Sequence, residues 1–592
     1  MNSVRFFSAL MCLILASCGS TPAASSPSSE ESATPPSSDS TALSSESLPA
    51  SESSQTEFSY ENPPELVTID RMDYRLKEDG TYEVCSHKYS YVDLSTPNTV
   101  TIPEKVYGRP VTSLADYGFK HYFNARYVTL PDTIEYIGHY AFYETYLEEA
   151  NIPKSLAFLG DFAFGKVCLT RPVILPKTLS HVGIGAFWKT CYAHIELESD
   201  NPWLCYENHV LYNKDKTELI AYCESELDGD DYYHFVVPPT VTKIRDYSIS
   251  AWEFDEITIP SSVKTIGKNA LRGTNSLNIV HLNEGLEGIG EEAFPFVTTP
   301  IRIPHSVRSI GHNAFKTWRE GNPQASVDDD HPRYRIECGC LIEKTTETVL
   351  MVIENMAEYA FSDGLLAVGD YAFSECHGKL RFSFPDSVQH MGSYVFAVRL
   401  EIELPFSLPK GLRTMGDHTF QSNCKFSENL TLSIGKCLES IGEAPFCNVF
   451  SLEAFDVDED NPYFSDYKNC LYSKDKTILY CVPSVKIQDF SIHEETVRIK
   501  HSASWNVYNG PSLVIPRNVT HIEPYAFYMS GMQTVELPRG IQDVGDYAFG
   551  YATSLEVVYH GCEEEWANVK LGETALGKDP TIIFDPEEYP AE

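Results

Sequence analysis

The sequence predicts a solenoid of stacked, strand-containing coils rather than a set of separate globular domains. Two observations predict this: a motif of about 22 residues recurs along almost the whole chain, and a longer period of 130 residues overlies it. A chain of 592 residues would ordinarily suggest several domains. A solenoid grows in one dimension and needs no separate cores, so the repeat replaces that expectation.

The clearest copy of the motif consists of residues 535–538, Gly545 and the pair Ala548 and Phe549. The alternation in residues 535–538 places two apolar side chains on one face of a short strand. Pro538 lacks an N–H group and therefore suits the end of a strand. Gly545 permits a tight bend or a close approach to a neighbouring backbone. Ala548 and Phe549 form a small-plus-large pair suited to filling a core.

Fifteen copies can be anchored on the apolar residue that precedes the Gly position. These anchors are Leu114, Ile137, Leu159, Val182, Ile244, Ile266, Ile289, Ile310, Val368, Met391, Met415, Ile441, Ile499, Ile522 and Val544. Eleven copies keep the Gly, and the other four carry Ala115, Arg245, Lys500 and Glu523. A left-handed backbone is therefore not expected at this position in every copy. One unit buries too little apolar surface to offset the entropy of ordering it, so stability must come from stacking.

The recurring string P-x-x-φ-x-x-I-G-x-x-A-F, where φ is apolar, resembles the BspA-like, or Treponema pallidum-type, leucine-rich repeats over roughly residues 60–584. The resemblance implies a leucine-rich-repeat solenoid of the β-rich α/β class. It implies a curved right-handed coil, a parallel sheet on the concave side and β-hairpin inserts. It also implies a microbial surface protein of adhesive or binding type, without fixing a ligand.

The N-terminus has the layout of an export signal. An apolar run from Phe6 to Ala16 is too short to span a bilayer, and Leu15-Ala16-Ser17-Cys18 resembles a bacterial lipobox. We expect residues 1–17 to be a lipoprotein signal peptide and Cys18 to be lipidated; an ordinary secretory signal is the alternative. Residues 18–57 are rich in Ser and Pro and predict a disordered tether.

An N-terminal cap is expected over residues 58–112. Residues 74–76 and 82–84 alternate in polarity and flank residues 77–80, which end in Gly and predict a hairpin turn. A cap is needed because the first coil of a solenoid would otherwise expose an apolar edge.

The long period is marked by Asn201, His331 and Asn461, each followed by Pro at a spacing of 130 residues. After each, two apolar segments flank a short turn and predict hairpin inserts over 201–226, 329–355 and 459–484. The repeat blocks then occupy residues 113–200, 227–328, 356–458 and 485–554, with four, four, four and three copies. The period is expected to end before residues 555–592, a C-terminal cap and tail in which Trp566 covers the last coil.

The formal net charge of −39 opposes nucleic acid and anionic membrane surfaces as partners. Recurrence of Cys168, Cys191, Cys376 and Cys424 after the Phe position, and of Cys340 and Cys470 in the hairpins, favours buried apolar side chains. Disulfides between coils stay open as an alternative. No metal site or cofactor is expected, since zinc would need four ligands. No catalytic motif is present, so the chain is not expected to be an enzyme.

The remaining candidate surface is the sheet predicted to be concave. The middle residue of each φ-x-φ strand should point outward, and the candidate ligand-binding residues are Thr129, Asn151, Thr258, His281, Arg302, Ser383, Glu403, Thr431 and Glu536. We expect a bacterial cell-surface lipoprotein that binds an extracellular or host protein or glycan and meets the membrane only through its lipid. A structural or envelope-organising role without a soluble ligand is the alternative, and an enzyme with a cryptic site is a second one.

Overall fold

The computed structural model describes residues 63–586 apart from short gaps, which are residues 71, 86–98, 120–124, 191–194, 223–233, 251–254, 275–276, 295–298, 316–323, 397–399, 421–423, 448, 486–489, 506–510 and 553. The expected signal peptide, lipidated Cys18 and tether lie outside the described residues. In the described part of the chain, no helix is long and apolar enough to cross a membrane.

Each coil of the solenoid contributes a short strand to a parallel ladder, and each short strand ends at an anchor residue. These strands are Arg109–Leu114, Tyr136–Ile137, Phe158–Leu159, His181–Val182, Lys243–Ile244, Thr265–Ile266, Gly288–Ile289, Ser309–Ile310, Ala367–Val368, His390–Met391, Thr414–Met415, Ser440–Ile441, Arg498–Ile499, His521–Ile522, Asp543–Val544 and Lys570–Leu571. All fifteen predicted anchors are confirmed. The expected end of the period before residue 555 is wrong, because Lys570–Leu571 pairs in parallel with Asp543–Val544 and completes a fourth block of four.

The φ-x-φ segments form a second set of strands, which we call the outer sheet. They are Thr99–Thr101, Tyr127–Thr129, Glu149–Ala150, Val173–Leu175, Ile195–Leu197, His234–Val236, Glu256–Ile259, Ile279–Leu282, Ile301–Arg302, Ala325–Ser326, Glu358–Ala360, Gly378–Ser383, Leu400–Ile402, Lys425–Ile434, Phe450–Val457, Ser512–Val514, Thr534–Leu537, Glu556–Tyr559 and Thr581–Phe584. They pair in parallel in groups of two to five. The predicted parallel sheet is confirmed, and the short-strand ladder is a second one.

The three hairpin inserts are confirmed, and each contains one strand more than expected. Their strands are Leu204–Glu207, Val210–Asn213 and Glu218–Tyr222; Tyr334–Glu337, Cys340–Glu343 and Thr348–Val352; and Phe464–Tyr467, Cys470–Ser473 and Ile478–Cys481. Within each insert the strands are antiparallel, and the third strand pairs in parallel with the first short strand of the next block. The inserts therefore start each new short-strand ladder.

The hairpin predicted within the N-terminal cap is confirmed. Strands Leu66–Ile69, Met72–Leu76 and Tyr82–Cys85 pair antiparallel, with the predicted turn between the second and the third. Tyr82–Cys85 then pairs in parallel with Arg109–Leu114, which also pairs with Lys105–Val106. The cap thus occupies the position that a preceding coil would have.

The Pro that recurs in the motif begins a turn rather than merely ending a strand. The Ile541 N–H donates to the Pro538 carbonyl over 3.1 Å, and Leu179 does the same to Pro176. The spacing P-x-x-φ is therefore the spacing of a β-turn, closed by the backbone of the next buried apolar residue.

Close packing between coils explains the Gly that follows each anchor. A Cβ built on Gly160 would lie 2.5 Å from the carbonyl carbon of Gly138 in the preceding coil, and Gly183, Gly290 and Gly416 have equally close neighbours. None of these four has a positive φ. Of the two reasons that the sequence left open, close approach of neighbouring backbones is the right one.

Three of the four Gly replacements stand where this constraint is absent. Ala115, Arg245 and Lys500 each follow a cap or hairpin strand rather than a Gly-containing coil. The Arg245 guanidinium also donates to the Val182 carbonyl over 2.8 Å across the insert. In neighbouring coils of a block, the Gly N–H donates to the carbonyl of the anchor in the preceding coil. The insert separates Val182 from the next coil, and the Arg245 guanidinium supplies the donor that the Val182 carbonyl would otherwise lack. Nothing in the structure explains why Glu523, inside a block, is tolerated.

The core follows the predicted small-plus-large pairs. Ala548 and Phe549 are buried, and Phe549 stacks on Phe527 with ring centroids 5.2 Å apart. Among the predicted core cysteines, Cys340, Cys376, Cys424 and Cys470 are buried, whereas Cys168 is half-buried. Cys191 lies outside the described residues, and no disulfide joins the cysteines in the described part of the chain.

Asn201, His331 and Asn461 perform one structural role, which we call the insert corner. The Asn461 Oδ1 accepts the N–H groups of Tyr463 and Phe464, both over 2.8 Å, and its Nδ2 donates to the carbonyls of Gly435 and Leu438. Asn201 makes the same four bonds, two to N–H groups of its own insert and two to the carbonyls of Pro176 and Leu179 in the coil before it. Both side chains are almost fully buried. The corner therefore ties each insert to the turn of the coil before it, which begins at Pro176, Pro304 or Gly435.

His331 reproduces the insert corner with an imidazole ring. Its Nδ1 accepts the N–H groups of Arg333 and Tyr334, each over 3.1 Å, and its Nε2 lies 3.0 Å from the Pro304 carbonyl. These partners require a neutral ring with the proton on Nε2. Burial lowers the pKa of His331, which favours this neutral form.

The C-terminal segment adds one helical turn and one more strand of the outer sheet. Trp566 ends a single helical turn, Glu563–Trp566, and packs against Tyr559 with centroids 5.0 Å apart. Strand Thr581–Phe584 pairs with Glu556–Tyr559 on the outer sheet. The edge of that sheet is thus Thr581–Phe584. Trp566 packs against the core of the fourth block, and its role in covering the last coil stays a prediction.

Candidate functional site: two outward-facing surfaces

The nine candidate residues of the outer sheet lie on its outward side, as expected. None of them is buried, whereas eight of the nine have at least one buried neighbour in sequence, such as Val128 and Leu130 beside Thr129; both neighbours of Asn151 are half-buried. The two-residue alternation of a strand produces this arrangement. The prediction of which residues face outward is confirmed, while their role in binding stays a prediction.

Two of the candidates, Thr258 and His281, meet in register on adjacent strands. The His281 Nε2 lies 2.8 Å from a Glu256 carboxylate oxygen, and the His234 Nε2 lies 3.0 Å from the Thr258 hydroxyl. These four side chains form one polar group spanning three coils. Its hydrogen-bonding atoms are largely directed at one another.

Glu403 belongs to a second polar group in the third block. Its carboxylate lies 2.8 Å from the Arg381 Nε and 3.3 Å from the Lys379 ammonium. Glu401 pairs with Lys425, and this hydrogen bond holds the pKa of Glu401 below its ordinary value. Alternating charges on three neighbouring strands thus neutralise one another across the sheet.

Other candidates also have partners in a neighbouring coil. The Asn151 amide bonds both the N–H and the carbonyl of Leu130, each over 2.7 Å. Glu536 lies 3.0 Å from His560, and Arg302 pairs with Asp328. The latter two candidates, together with Thr129, Ser383 and Thr431, are distributed over four groups of outer-sheet strands. The structure does not gather the nine into one site.

His305, Asp328 and Asp330 bring three possible metal-ligand atoms within 4.8 Å of one another. The Arg302 guanidinium already donates to both carboxylate oxygens of Asp328. Asp330 is largely exposed. A cation here would compete with the Arg302 guanidinium for Asp328, and the site is open to solvent, so the cluster does not support a metal centre.

A shallow, open depression of about 680 Å³ lies near the C-terminal end. Its lining residues are His521, Arg539, Ile541, Gln542, Asp543, Tyr559, Glu565, Asn568 and Lys570. Arg539 and Glu565 are paired across it. Its walls are mostly polar and carry charges of both signs, unlike the apolar lining typical of small-molecule pockets.

A second outward-facing surface was not anticipated: a row of aromatic rings that we call the aromatic ladder. It occupies the position three residues after the anchor, and its members are Tyr117, Tyr140, Phe162, Tyr247, Tyr371, Tyr394, His418, Tyr525 and Tyr547. Rings of consecutive coils within a block are stacked, with centroids 5.1 Å apart for Tyr117–Tyr140 and 5.3 Å for Tyr525–Tyr547. Side chains about 22 residues apart thus form contiguous stacks.

Backbone strain makes the choice of tyrosine informative. All sixteen residues at this position have a positive φ; Tyr140, for example, has φ 55° and Tyr547 has φ 53°. Gly185, Asn269 and Asn313 show that residues better suited to the left-handed region fit there. Where tyrosine stands instead, ring stacking offsets a cost of about 1 kcal/mol.

The ladder widens in the fourth block into a cluster that we call the aromatic patch, made of Trp505, Tyr525, Tyr528, Tyr547 and Tyr551. Centroid distances are 4.5 Å for Trp505–Tyr528 and 5.2 Å for Tyr528–Tyr551. Tyr551 is 74% exposed, and the other four rings are half-buried. Burial raises the pKa of Tyr528, and a 2.9 Å hydrogen bond to Glu573 raises that of Tyr547, so both phenols are protonated donors at neutral pH.

The sequence contains a signal for the ladder that the motif of Pro, Gly, Ala and Phe leaves out. In seven copies the residue two before the motif's final large apolar position is Tyr, as in Tyr371-Ala372-Phe373 and Tyr525-Ala526-Phe527. The pattern alone does not reveal that this residue is left-handed and points outward.

The family model for the BspA type leucine rich repeat region matches residues 87–216, 230–320, 348–474 and 479–562, with six copies. No curated protein matches the chain. Solved structures similar to it include the pneumococcal vaccine antigen PcpA, at 15% identity and TM-score 0.32, covering 88% of this chain and 98% of that one. A leucine rich cell surface protein from Faecalibacterium prausnitzii has 17% identity and TM-score 0.23, with coverages of 86% and 98%.

The leucine-rich-repeat protein of T. pallidum has 16% identity and TM-score 0.22, covering 42% of this chain and 87% of that one. The family match extends over more than half of the chain and includes the blocks in which the Pro turn, the Gly approach and the Ala-Phe core recur. The chain therefore belongs to the BspA-type leucine-rich-repeat family.

Proposed function

We propose that this chain is a bacterial cell-surface lipoprotein whose solenoid binds an extracellular protein or glycan. The proposal rests on one observation: each coil presents outward-facing side chains that its apolar core does not need. They form the outer sheet and the aromatic ladder, and the ladder retains rings at strained backbone positions where glycine or asparagine would fit. The stability of the coil does not require these rings, whereas binding of a ligand would use them.

The architecture supports binding through its rigidity. Neighbouring coils are joined by backbone hydrogen bonds at the short strands, at the outer sheet and at the turn after the Gly, where Phe142 N–H donates to the Ala163 carbonyl. A preorganised surface loses little conformational entropy when a ligand binds. The repeat also offers similar contacts along its length, which suits a ligand that is itself extended.

The sequence supplies the proposed attachment to the cell. Lipidation at Cys18 would anchor the chain, and residues 18–57 would hold the solenoid away from the membrane. The net charge of −39 would keep the solenoid off an anionic membrane surface and directed toward extracellular partners.

Cells that display the full chain provide the test. They should bind at least one member of a panel of immobilised extracellular-matrix proteins or of a glycan array, and cells with the Cys18→Ser variant should lose that binding because the chain is not retained. Displayed chains that bind neither panel would refute the proposal. If such chains also self-associated in sedimentation, the envelope-organising alternative would replace it.

The two surfaces can be separated in the same assay. Thr258→Ala with His281→Ala removes the centre of the polar group on the outer sheet without touching the core. Weakened binding by this double variant would assign the ligand to the outer sheet, as the sequence predicted. Unchanged binding would assign it elsewhere on the solenoid.

A further inference from the structure

We propose that the aromatic patch of the fourth block is a binding site for an uncharged, extended glycan chain. This inference rests on the proposed extracellular binding function and assigns it a surface and a ligand class. It concerns Trp505, Tyr525, Tyr528, Tyr547 and Tyr551, none of which was among the residues predicted from the sequence.

The patch exceeds what coil packing needs. Phe527 and Phe549 already fill the interior of these two coils and are fully buried. Tyr528 occupies a position that is Gly165 in an earlier coil, and Tyr551 occupies one that is Lys166 or Lys189. These copies show that the fold does not require rings there.

Exposure at the patch is costly for the free protein. The 74% exposed Tyr551 has φ 65°, and the neighbouring Met529 is 46% exposed with φ 58°. Bulky side chains in the left-handed region are uncommon and cluster at functional positions. A ligand that covered these side chains would remove their apolar surface from water. Because the backbone already holds the rings in place, little conformational entropy would be lost on binding.

The chemistry of the patch matches a polyhydroxylated neutral ligand. Tyrosine and tryptophan combine an apolar ring with a polar edge, so they can contact the C–H face of a sugar while bonding its hydroxyl groups. The patch adds a carboxylate acceptor, since the Tyr547 hydroxyl donates to Glu573. The strongly acidic chain opposes sulfated or uronic-acid polymers, which leaves uncharged glycans.

The shape of the ladder favours a thin ligand over a globular partner. At the patch, Trp505, Tyr528 and Tyr551 flank the stack, so the rings form a strip along which Tyr525 and Tyr547 follow each other at 5.3 Å. A stable protein interface buries about 800 Å² per partner around an apolar centre. The patch offers a strip of separate rings rather than such a centre. Its five residues lie in turns and not in strands, so their backbone presents no strand edge for an extended peptide to pair with.

Affinity electrophoresis of the full chain in gels containing soluble, uncharged polysaccharides of glucose, mannose, galactose or xylose tests the proposal. Wild type should be retarded by at least one of them, and Tyr551→Ala should bind it about tenfold more weakly through loss of one ring contact. Tyr551 is exposed, so this variant should keep its fold; an unchanged circular dichroism spectrum checks that.

Tyr463→Ala is the matched control, because Tyr463 is also exposed (51%) but lies in the third insert rather than in the patch. It should bind as wild type does. Equal affinity of Tyr551→Ala and wild type, or tighter binding to heparin than to every neutral polymer, would overturn the inference. Binding of a matrix protein without binding of any polysaccharide would overturn it too, yet leave the proposed function intact; binding of neither class would remove both.

Discussion

The insert corner at His331 should open in mild acid, whereas its counterparts at Asn201 and Asn461 should not. The His331 side chain is 1% exposed, and its Nδ1 accepts two backbone N–H groups. Protonation turns Nδ1 into a donor, so both N–H groups would lose their acceptor. An asparagine at the same corner carries no titrating group and keeps its four bonds at any moderate pH.

The direction follows from the lowered pKa of His331, which burial causes and the nearby His305 and Lys344 reinforce. In the unfolded chain a histidine takes up a proton near pH 6.5. Its contribution to stability is therefore complete above about pH 6.5 and is lost as the pH falls toward the lower native pKa. Within that window each pH unit costs up to about 1.4 kcal/mol.

Substitutions give the size of the corner's contribution. His331→Ala leaves two buried N–H groups without an acceptor, at about 1–3 kcal/mol each, so a loss of about 2–6 kcal/mol is expected at pH 7.5. Asn461→Ala should cost a similar amount for the same reason. His331→Asn should cost far less, because asparagine makes the equivalent bonds at the other two corners.

Hydrogen exchange measured by mass spectrometry on peptides covering residues 329–343 gives the local opening free energy. Wild type should exchange faster there at pH 5.5 than at pH 7.5, after correction for the intrinsic rate, and peptides covering 459–473 should not. His331→Asn should abolish the difference. If the asparagine variant kept the acid-induced opening, or if it were as unstable as His331→Ala, the assigned role of the imidazole would be wrong.

Three further predictions concern the coils and the lipid attachment. Gly160→Ala should destabilise the chain by more than about 3 kcal/mol in urea unfolding, because the new Cβ would lie 2.5 Å from backbone atoms. Gly540→Ala is the control and should be tolerated, because the nearest atom to its Cβ lies at 3.6 Å. Equal effects of the two substitutions would refute the packing account. Arg245→Ala should cost about 1–3 kcal/mol and speed exchange in the first coil of block two, since the Val182 carbonyl loses its donor; unchanged exchange would count against that role. Cys18→Ser should shift the protein from the membrane fraction to the medium and abolish labelling by a fatty acid, and a variant that stayed membrane-bound would contradict lipidation.

Most of the architecture could be predicted because it repeats. The spacing of Pro, Gly and the Ala-Phe pair located fifteen coils, three inserts and the hairpin of the cap, and each appears at the expected place. The sixteenth coil was missed because Leu571, Gly572 and Ala575 follow a helical turn that disrupts the spacing. An interruption of that kind changes the period without changing the stacking.

The candidate surface was only partly predictable. Alternation along a strand identified which residues face outward, but not that Glu403, Arg302 and Asn151 are occupied by partners in neighbouring coils. Those partners lie about 22 residues away, so their contacts depend on the register between coils. The same register stacks Tyr525 on Tyr547.

The sequence by itself determined the coil, since local turn chemistry and the burial of alternate side chains are properties of one repeat. Tertiary structure decided what each repeat does to the next: why Gly160 must be glycine, how His331 can stand for asparagine, and which rings reach the solvent. The physical reason is that backbones 22 residues apart touch only after stacking. Their distances and hydrogen-bond partners exist in the solenoid and in no single copy of the motif.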